Sequence, residues 1–209
     1  MSGIAGTLWE DNGELAARAL AHPFVRGIGS GSLPRARFAA YVAQDAFFLD
    51  AFARAYALGL AHAPDRDGVA AFARLLAGVT DELRLHATYA ARWGIDLAEV
   101  RPLPATVAYT DFLLATAALR TVGETCAAMT PCMRLYAYLG QELGRTPRIG
   151  NPYAEWIATY ASADFEALAA GLERLLDRYV TRIEDARAPY RRALELELGF
   201  FDAHVEERA

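Results

Sequence analysis

The chain has 209 residues, of which 54% are hydrophobic and 22% charged, enough apolar material for one domain with a sizeable core. Acidic residues outnumber basic ones, 26 to 21, every basic residue is arginine, and no basic stripe is present, which argues against a nucleic-acid partner. Cys126 and Cys132 lie six apart on one predicted helix, not a whole number of turns, which argues against a disulfide; the N-terminus lacks a basic segment followed by an apolar core, and no run of about 18 uncharged apolar residues occurs. The expectation is a cytoplasmic protein without a membrane segment.

In chain order, residues 10–21 predict a short amphipathic helix, stopped at His22-Pro23 because the residue before proline is pushed out of the α region. Gly27-Ile28-Gly29-Ser30-Gly31 reads as a turn; without a preceding strand or a Gly-Lys-Ser/Thr ending it is no phosphate loop. Ser32 is the expected cap of a helix running to about His62, with Pro34 in its first turn. A long helix over 67–93 ends at Gly94. Pro102 and Pro104 introduce another to about Arg120, and Gly123-Glu124 opens one that reaches Gly144. Pro131 inside it predicts a kink or a broken start. A loop over 145–152 precedes a short helix through Tyr160; Asp164 suggests the cap of a helix to about Ala186, and 188–207 forms the last. With no convincing alternating pattern, the fold class is all-α, a single-domain bundle of about eight helices spanning residues 1–209.

Three segments carry candidate chemistry. Met129-Thr130-Pro131-Cys132 places a thiol just after a proline; at a helix start, the dipole would stabilise its thiolate and lower its pKa. The alternative is a small buried hydrophobe, since cysteine is among the most buried residue types. Tyr41, Asp45, Phe48 and Phe52 share one helix face, and a carboxylate among aromatics suits a flat cationic or hydrogen-bond-donating ligand, or else a structural pairing. Glu197 falls at the edge of an apolar face with Phe200 and His204, where a raised pKa would suit proton transfer, whereas Glu195 turns to solvent. Tyr136 follows Cys132 by four residues and shares its face.

His22-Pro23-Phe24, Gln44-Asp45-Ala46-Phe47-Phe48, Glu82 with His86, Ala108-Tyr109-Thr110, Pro131-Cys132 with Tyr136, Pro152-Tyr153-Ala154-Glu155-Trp156-Ile157 with Tyr160, and Glu197 with Phe200 together resemble the TenA, or thiaminase II, family over nearly the whole chain. The resemblance implies a haem-oxygenase-like helical fold and a thiamin-salvage hydrolase. Its substrate would be 4-amino-5-aminomethyl-2-methylpyrimidine, hydrolysed to the 5-hydroxymethyl compound and ammonia, with thiamin also split by some members. By the same resemblance Cys132 is the nucleophile, Asp45 anchors the ring's amino group and nitrogen, and Glu197 is the acid that assists the leaving group. Tyr109, Tyr136 and Tyr160 would supply hydroxyls, and Phe48 and Phe200 would pack on the ring. No cofactor or metal is implied, and the partner is the pyrimidine alone, in a homotetramer or dimer. The chain departs from the family pattern at Phe201, where many members carry tryptophan, and in its phenylalanines beside the aspartate.

Two other classes are weighed. A metal-dependent oxidase could use Glu82 and His86, but no Glu-x-x-His pair occurs, and the two read more simply as a hydrogen-bonded structural pair. A non-catalytic pyrimidine-binding or regulatory protein would share the fold without the chemistry.

Overall fold

Between residues 123 and 140 the sequence offers small, apolar and aromatic side chains on every face, and a helix apolar all round must be buried all round. In the computed structural model, which describes residues 3–95 and 100–205, this segment lies in the central helix, buried over nearly its whole length. Ten helices and no strand occur among the described residues: α1 (Ile4–Asp11), α2 (Gly13–Ala21), α3 (Pro23–Ser30), α4 (Arg35–His62), α5 (Arg66–Trp93), α6 (Pro104–Leu119), α7 (Val122–Gly144), α8 (Ala154–Tyr160), α9 (Ala163–Tyr179) and α10 (Ile183–Asp202). The central helix is α7, and α4, α6, α8, α9 and α10 all pack against it. No helix among the described residues is long and apolar enough to cross a membrane.

The start of α7 is fixed by a capping box: the Thr121 hydroxyl accepts from the Glu124 amide while the Glu124 carboxylate accepts from the Thr121 amide. The helix then continues through Pro131 without ending, and the Thr130 hydroxyl donates to the Cys126 carbonyl at 2.7 Å. The expected broken start is therefore absent. Cys132 lies nearly three turns inside the helix, beyond the first turn in which a dipole stabilises a thiolate.

The N-terminal third also differs from expectation. Residues 4–21 form two helices, joined at Asn12, whose side chain donates to the Leu8 carbonyl. The glycine run belongs to α3, with only Gly31 in the left-handed conformation, at its C-cap. His22 caps α3 by accepting the Phe24 amide on Nδ1, so its Nε2 carries the proton shared with Asp202 of α10 at 2.9 Å. Ser32 bonds to Ser30 rather than capping α4, and Ser162, not Asp164, caps α9. The last two helices are divided at residues 180–182 instead of 187, with Pro189 carried inside α10. The expected end at Glu207 lies outside the described residues; within them α10 stops at Asp202.

One buried ion network locks α7 to α9. Arg134 donates to both oxygens of Glu173 at 2.7 Å and to both oxygens of Glu166 at 2.9 Å, and Gln141 adds a bond to Glu166. The α7–α8 approach is closer still: a Cβ at Gly140 would collide with the Tyr160 backbone and sit 2.6 Å from the Ala161 nitrogen. Gly140→Ala must push α8 away and is expected to lower the urea unfolding free energy by about 1–3 kcal/mol. Gly13→Ala, at a glycine with open space around it, should be neutral or stabilising by up to about 1 kcal/mol. Equal midpoints for the wild type and Gly140→Ala would contradict the close packing.

Candidate active site

Helices converging on α7 bring their polar residues to one small cavity of about 10 Å3, lined by Asp45, Phe48, Leu49 and Phe52 of α4, Glu82 of α5, Cys132, Met133 and Tyr136 of α7, Tyr160 of α8 and Phe165 of α9. The spacing of Asp45, Phe48 and Phe52 puts all three on the buried face of α4, and Cys132 and Tyr136 likewise share a face of α7. A larger open groove between α5 and α9, lined by Arg74, Arg174 and Arg178, contains neither a nucleophile nor a buried carboxyl.

Of the residues singled out in the sequence, Asp45, Phe48, Cys132, Tyr136 and Tyr160 line the cavity, whereas Glu197, Tyr109 and Phe200 stand one layer behind. Glu197 is 1% exposed, and Tyr109 donates to its Oε1 at 2.9 Å. The Cys132 thiol lies near enough to the same carboxyl for each to shift the other's protonation. Burial pushes Glu197 up to about 8 against the Tyr109 hydrogen bond and the nearby thiol, so the carboxyl stays within reach of proton exchange near neutrality. Burial, then the nearby Glu197, Glu82 and Asp45 carboxyls, push the Cys132 thiol well above its usual range. The expected dipole-lowered thiolate is overturned: this thiol is neutral and needs a base beside it. Phe200 packs behind Phe48, with ring centroids 6.2 Å apart, and does not reach the cavity wall.

At the same cavity, Asp45 is held by His86, whose Nε2 lies 2.6 Å from Oδ2. The His86 Nδ1 meets the Glu82 backbone carbonyl at 3.0 Å, and a carbonyl only accepts, so Nδ1 carries a hydrogen. Burial opposes a charge on His86, but the Asp45 carboxylate, its hydrogen bond and Glu82 outweigh it and hold the imidazolium to about 9. Glu82 and His86 are thus linked through the Glu82 backbone, not side chain to side chain. The Glu82 carboxyl instead accepts from Tyr160 at 2.7 Å, and burial, with His86 opposing, lifts it to about 7. The sequence signal for both was present, a polar pair four residues apart on α5, but nothing in it says that His86 reaches across to α4.

The hydroxyls and amides of the remaining family-like positions hold the frame. Gln44 donates to the Arg101 carbonyl at 3.0 Å and accepts from the Leu103 amide and Thr106 hydroxyl, fastening the start of α6 to α4. Tyr41 donates to the Tyr136 oxygen at 3.2 Å and accepts from Trp156 at 3.4 Å. Among the described residues, no group of three or more His, Cys, Asp or Glu side chains is arranged to hold a metal ion.

Residues 9–207 match the model of the TENA/THI-4/PQQC family. The aminopyrimidine aminohydrolase of Halalkalibacterium halodurans is 36% identical over 180 residues, which cover 83% of this chain and 80% of that protein. The mitochondrial bifunctional TH2 protein of Arabidopsis thaliana is 34% identical over 227 residues, 96% of this chain but 37% of that longer protein. In three dimensions the chain superimposes on a TenA family transcription regulator from Silicibacter sp. with a TM-score of 0.91 at 26% identity, covering 98% of this chain and 97% of that one. With nearly its whole length matched, an all-α haem-oxygenase-like fold, and a neutral cysteine set between buried carboxyls, the chain belongs to the TENA/THI-4/PQQC family.

Proposed function

We propose that this chain is a thiamin-salvage hydrolase that converts 4-amino-5-aminomethyl-2-methylpyrimidine to the 5-hydroxymethyl compound and ammonia, with thiamin as a second substrate. The observation that carries the reading is the Cys132 thiol on the cavity wall, beside a Glu197 carboxyl poised near neutrality, with the Asp45–His86 pair at the same cavity. Relatives named aminopyrimidine aminohydrolase support it, at 36% identity in Halalkalibacterium halodurans, 31% in Helicobacter pylori and 35% in Bacillus subtilis. As part of this reading, one domain spanning residues 1–209 works as a cytoplasmic homo-oligomer.

An amine on the methylene of an aromatic ring is a poor leaving group while the ring stays aromatic. Attack by a thiolate on the ring forms an S–C bond, breaks aromaticity and supplies the electron pair that expels the amine. Because the thiol is neutral, Glu197 takes its proton as the bond forms, and the same proton then goes to the departing nitrogen, which leaves as ammonia. Water adds to the methylene and gives a proton to Glu197; the sulfur departs and regains that proton. Asp45 binds the ring's amidine-like edge and, kept in place by His86, favours the protonated ring that accepts the sulfur. Tyr109 orients Glu197, while Tyr136 offers its hydroxyl to the ring, Tyr160, whose proton goes to Glu82, offers its oxygen alone, and Phe48, backed by Phe200, holds the ring flat.

Cys132→Ser should lower turnover of the aminopyrimidine by at least about a hundredfold, since a hydroxyl gives up its proton far less readily than a thiol. Binding of the hydroxymethyl product should persist. Cys126→Ser, buried in the core away from the cavity, should keep the rate within about twofold. Ammonia release measured for the three proteins checks this; near wild-type turnover by Cys132→Ser would remove covalent catalysis.

Asp45→Asn keeps the volume but removes a charged hydrogen-bond acceptor, so pyrimidine binding should weaken by about 1.5–3 kcal/mol. The same change removes the charge that supports the His86 imidazolium, so its titration, followed by NMR, should fall from about 9. Unchanged affinity in calorimetry would leave Asp45 a purely structural partner of His86.

A further inference from the structure

The mechanism above leaves one cavity group unused. Among the described residues that line the cavity, Glu82 alone is not buried; the other nine are. The α5 side, where Glu82 stands, is therefore the least covered wall of the cavity, although the Glu82 carboxyl itself is desolvated. Its Oε1 accepts from Tyr160, and Oε2 accepts no hydrogen bond from the described residues. Its charge is felt at Cys132, second among the carboxyls there only to Glu197.

This placement has a chemical consequence that rests on the hydrolase reading. Once sulfur is bonded to the ring, the pyrimidine is tethered to Cys132 inside buried walls, and the leaving group must depart through the least covered side. Whatever leaves passes Glu82. Asp45 is held by His86 and assigned to the ring, and Glu197 is held by Tyr109 and assigned to the thiol, so Glu82 is the cavity carboxyl that the mechanism leaves without a task.

We propose that Glu82 is a specificity-determining residue that receives the leaving group at the cavity mouth and selects a primary amine over a thiazolium. A primary amine offers two N–H groups: one donates to Glu82 Oε2 while the nitrogen lone pair faces Glu197, which supplies the proton as the C–N bond breaks. The electron pair of that bond stays on nitrogen, and ammonia leaves past a carboxylate that can hydrogen-bond it. Thiamin's thiazolium nitrogen is quaternary and has no N–H to give, so it gains no hydrogen bond from Glu82. A site built to bind an N–H discriminates strongly against an analogue lacking one. Tyr160 is the positioning residue in this arrangement, because its hydroxyl fixes Oε1 and leaves Oε2 turned to the mouth.

The test compares kcat/KM for the aminomethylpyrimidine and for thiamin in the wild type, Glu82→Gln and Tyr160→Phe, with thermal melts to verify folding. Glu82→Gln should lose about 10- to 100-fold on the aminopyrimidine while thiamin cleavage stays within about threefold, so the ratio of the two collapses. Tyr160→Phe should move the ratio in the same direction by a smaller factor, which keeps the question open to decision should Glu82→Gln fold poorly. Equal losses on both substrates in a folded variant would overturn the role of Glu82 and leave the hydrolase reading standing. A wild type inert to both substrates would overturn the hydrolase reading and the role of Glu82 with it.

Discussion

Everything in the site depends on where α7 puts Cys132. A thiol held nearly three turns inside a buried helix has neither water nor a helix terminus to favour its ionised form, so burial keeps it protonated. The only way to make it a nucleophile is to place a base against it whose own proton affinity is high enough to take the proton. Glu197 meets that condition better than an exposed carboxylate because it is buried too: the same low-dielectric surroundings that raise the thiol raise the carboxyl to about 8. Burial, usually the obstacle to charged chemistry, is what makes this carboxyl a stronger base.

The α4 wall solves a different problem by the opposite means. Asp45 is buried in an aromatic surround, and His86 supplies a cationic partner whose other ring nitrogen is tied to the α5 backbone. That pair is held and oriented, as the ring-anchoring role proposed for Asp45 requires. Glu82, one helical turn from His86, is the least covered residue of the cavity wall and has one carboxylate oxygen engaged by Tyr160, as the role proposed for it requires. Three carboxyls in one small space thus have three different surroundings, on which the three proposed roles rest: imidazole for Asp45, phenol and a nearby thiol for Glu197, and phenol for Glu82.

Much of this was legible in the sequence. The four-residue spacings of Tyr41 with Asp45 and of Cys132 with Tyr136 placed them on shared faces, and the structure buries those faces as expected. Glu197 could be read as a buried acid because Ala193 and Phe200 flank it at helical spacing. The proline misled: Pro131 marks a helix start by local rules, but the capping box at Thr121 sets the start ten residues earlier, and packing on every side carries the helix through. The short helices α1 and α3 were missed for a related reason. Their glycines, small residues and lengths of eight give them little intrinsic stability, and they exist because Leu8, Phe24 and Ile28 are buried against the rest of the molecule. The His86–Asp45 bond was out of reach because it joins residues 41 apart on different helices, a relation that periodicity along either helix does not encode.

The central claim, that a neutral thiol is activated by Glu197 rather than by the helix, is tested most directly by the pH dependence of Cys132 alkylation with iodoacetamide in the absence of substrate. The account predicts slow alkylation below pH 7, a rise with an inflection near 8 as Glu197 loses its proton, and loss of that inflection in Glu197→Gln. Fast alkylation at pH 5–6 that is indifferent to Glu197→Gln would reveal a preformed thiolate and contradict it.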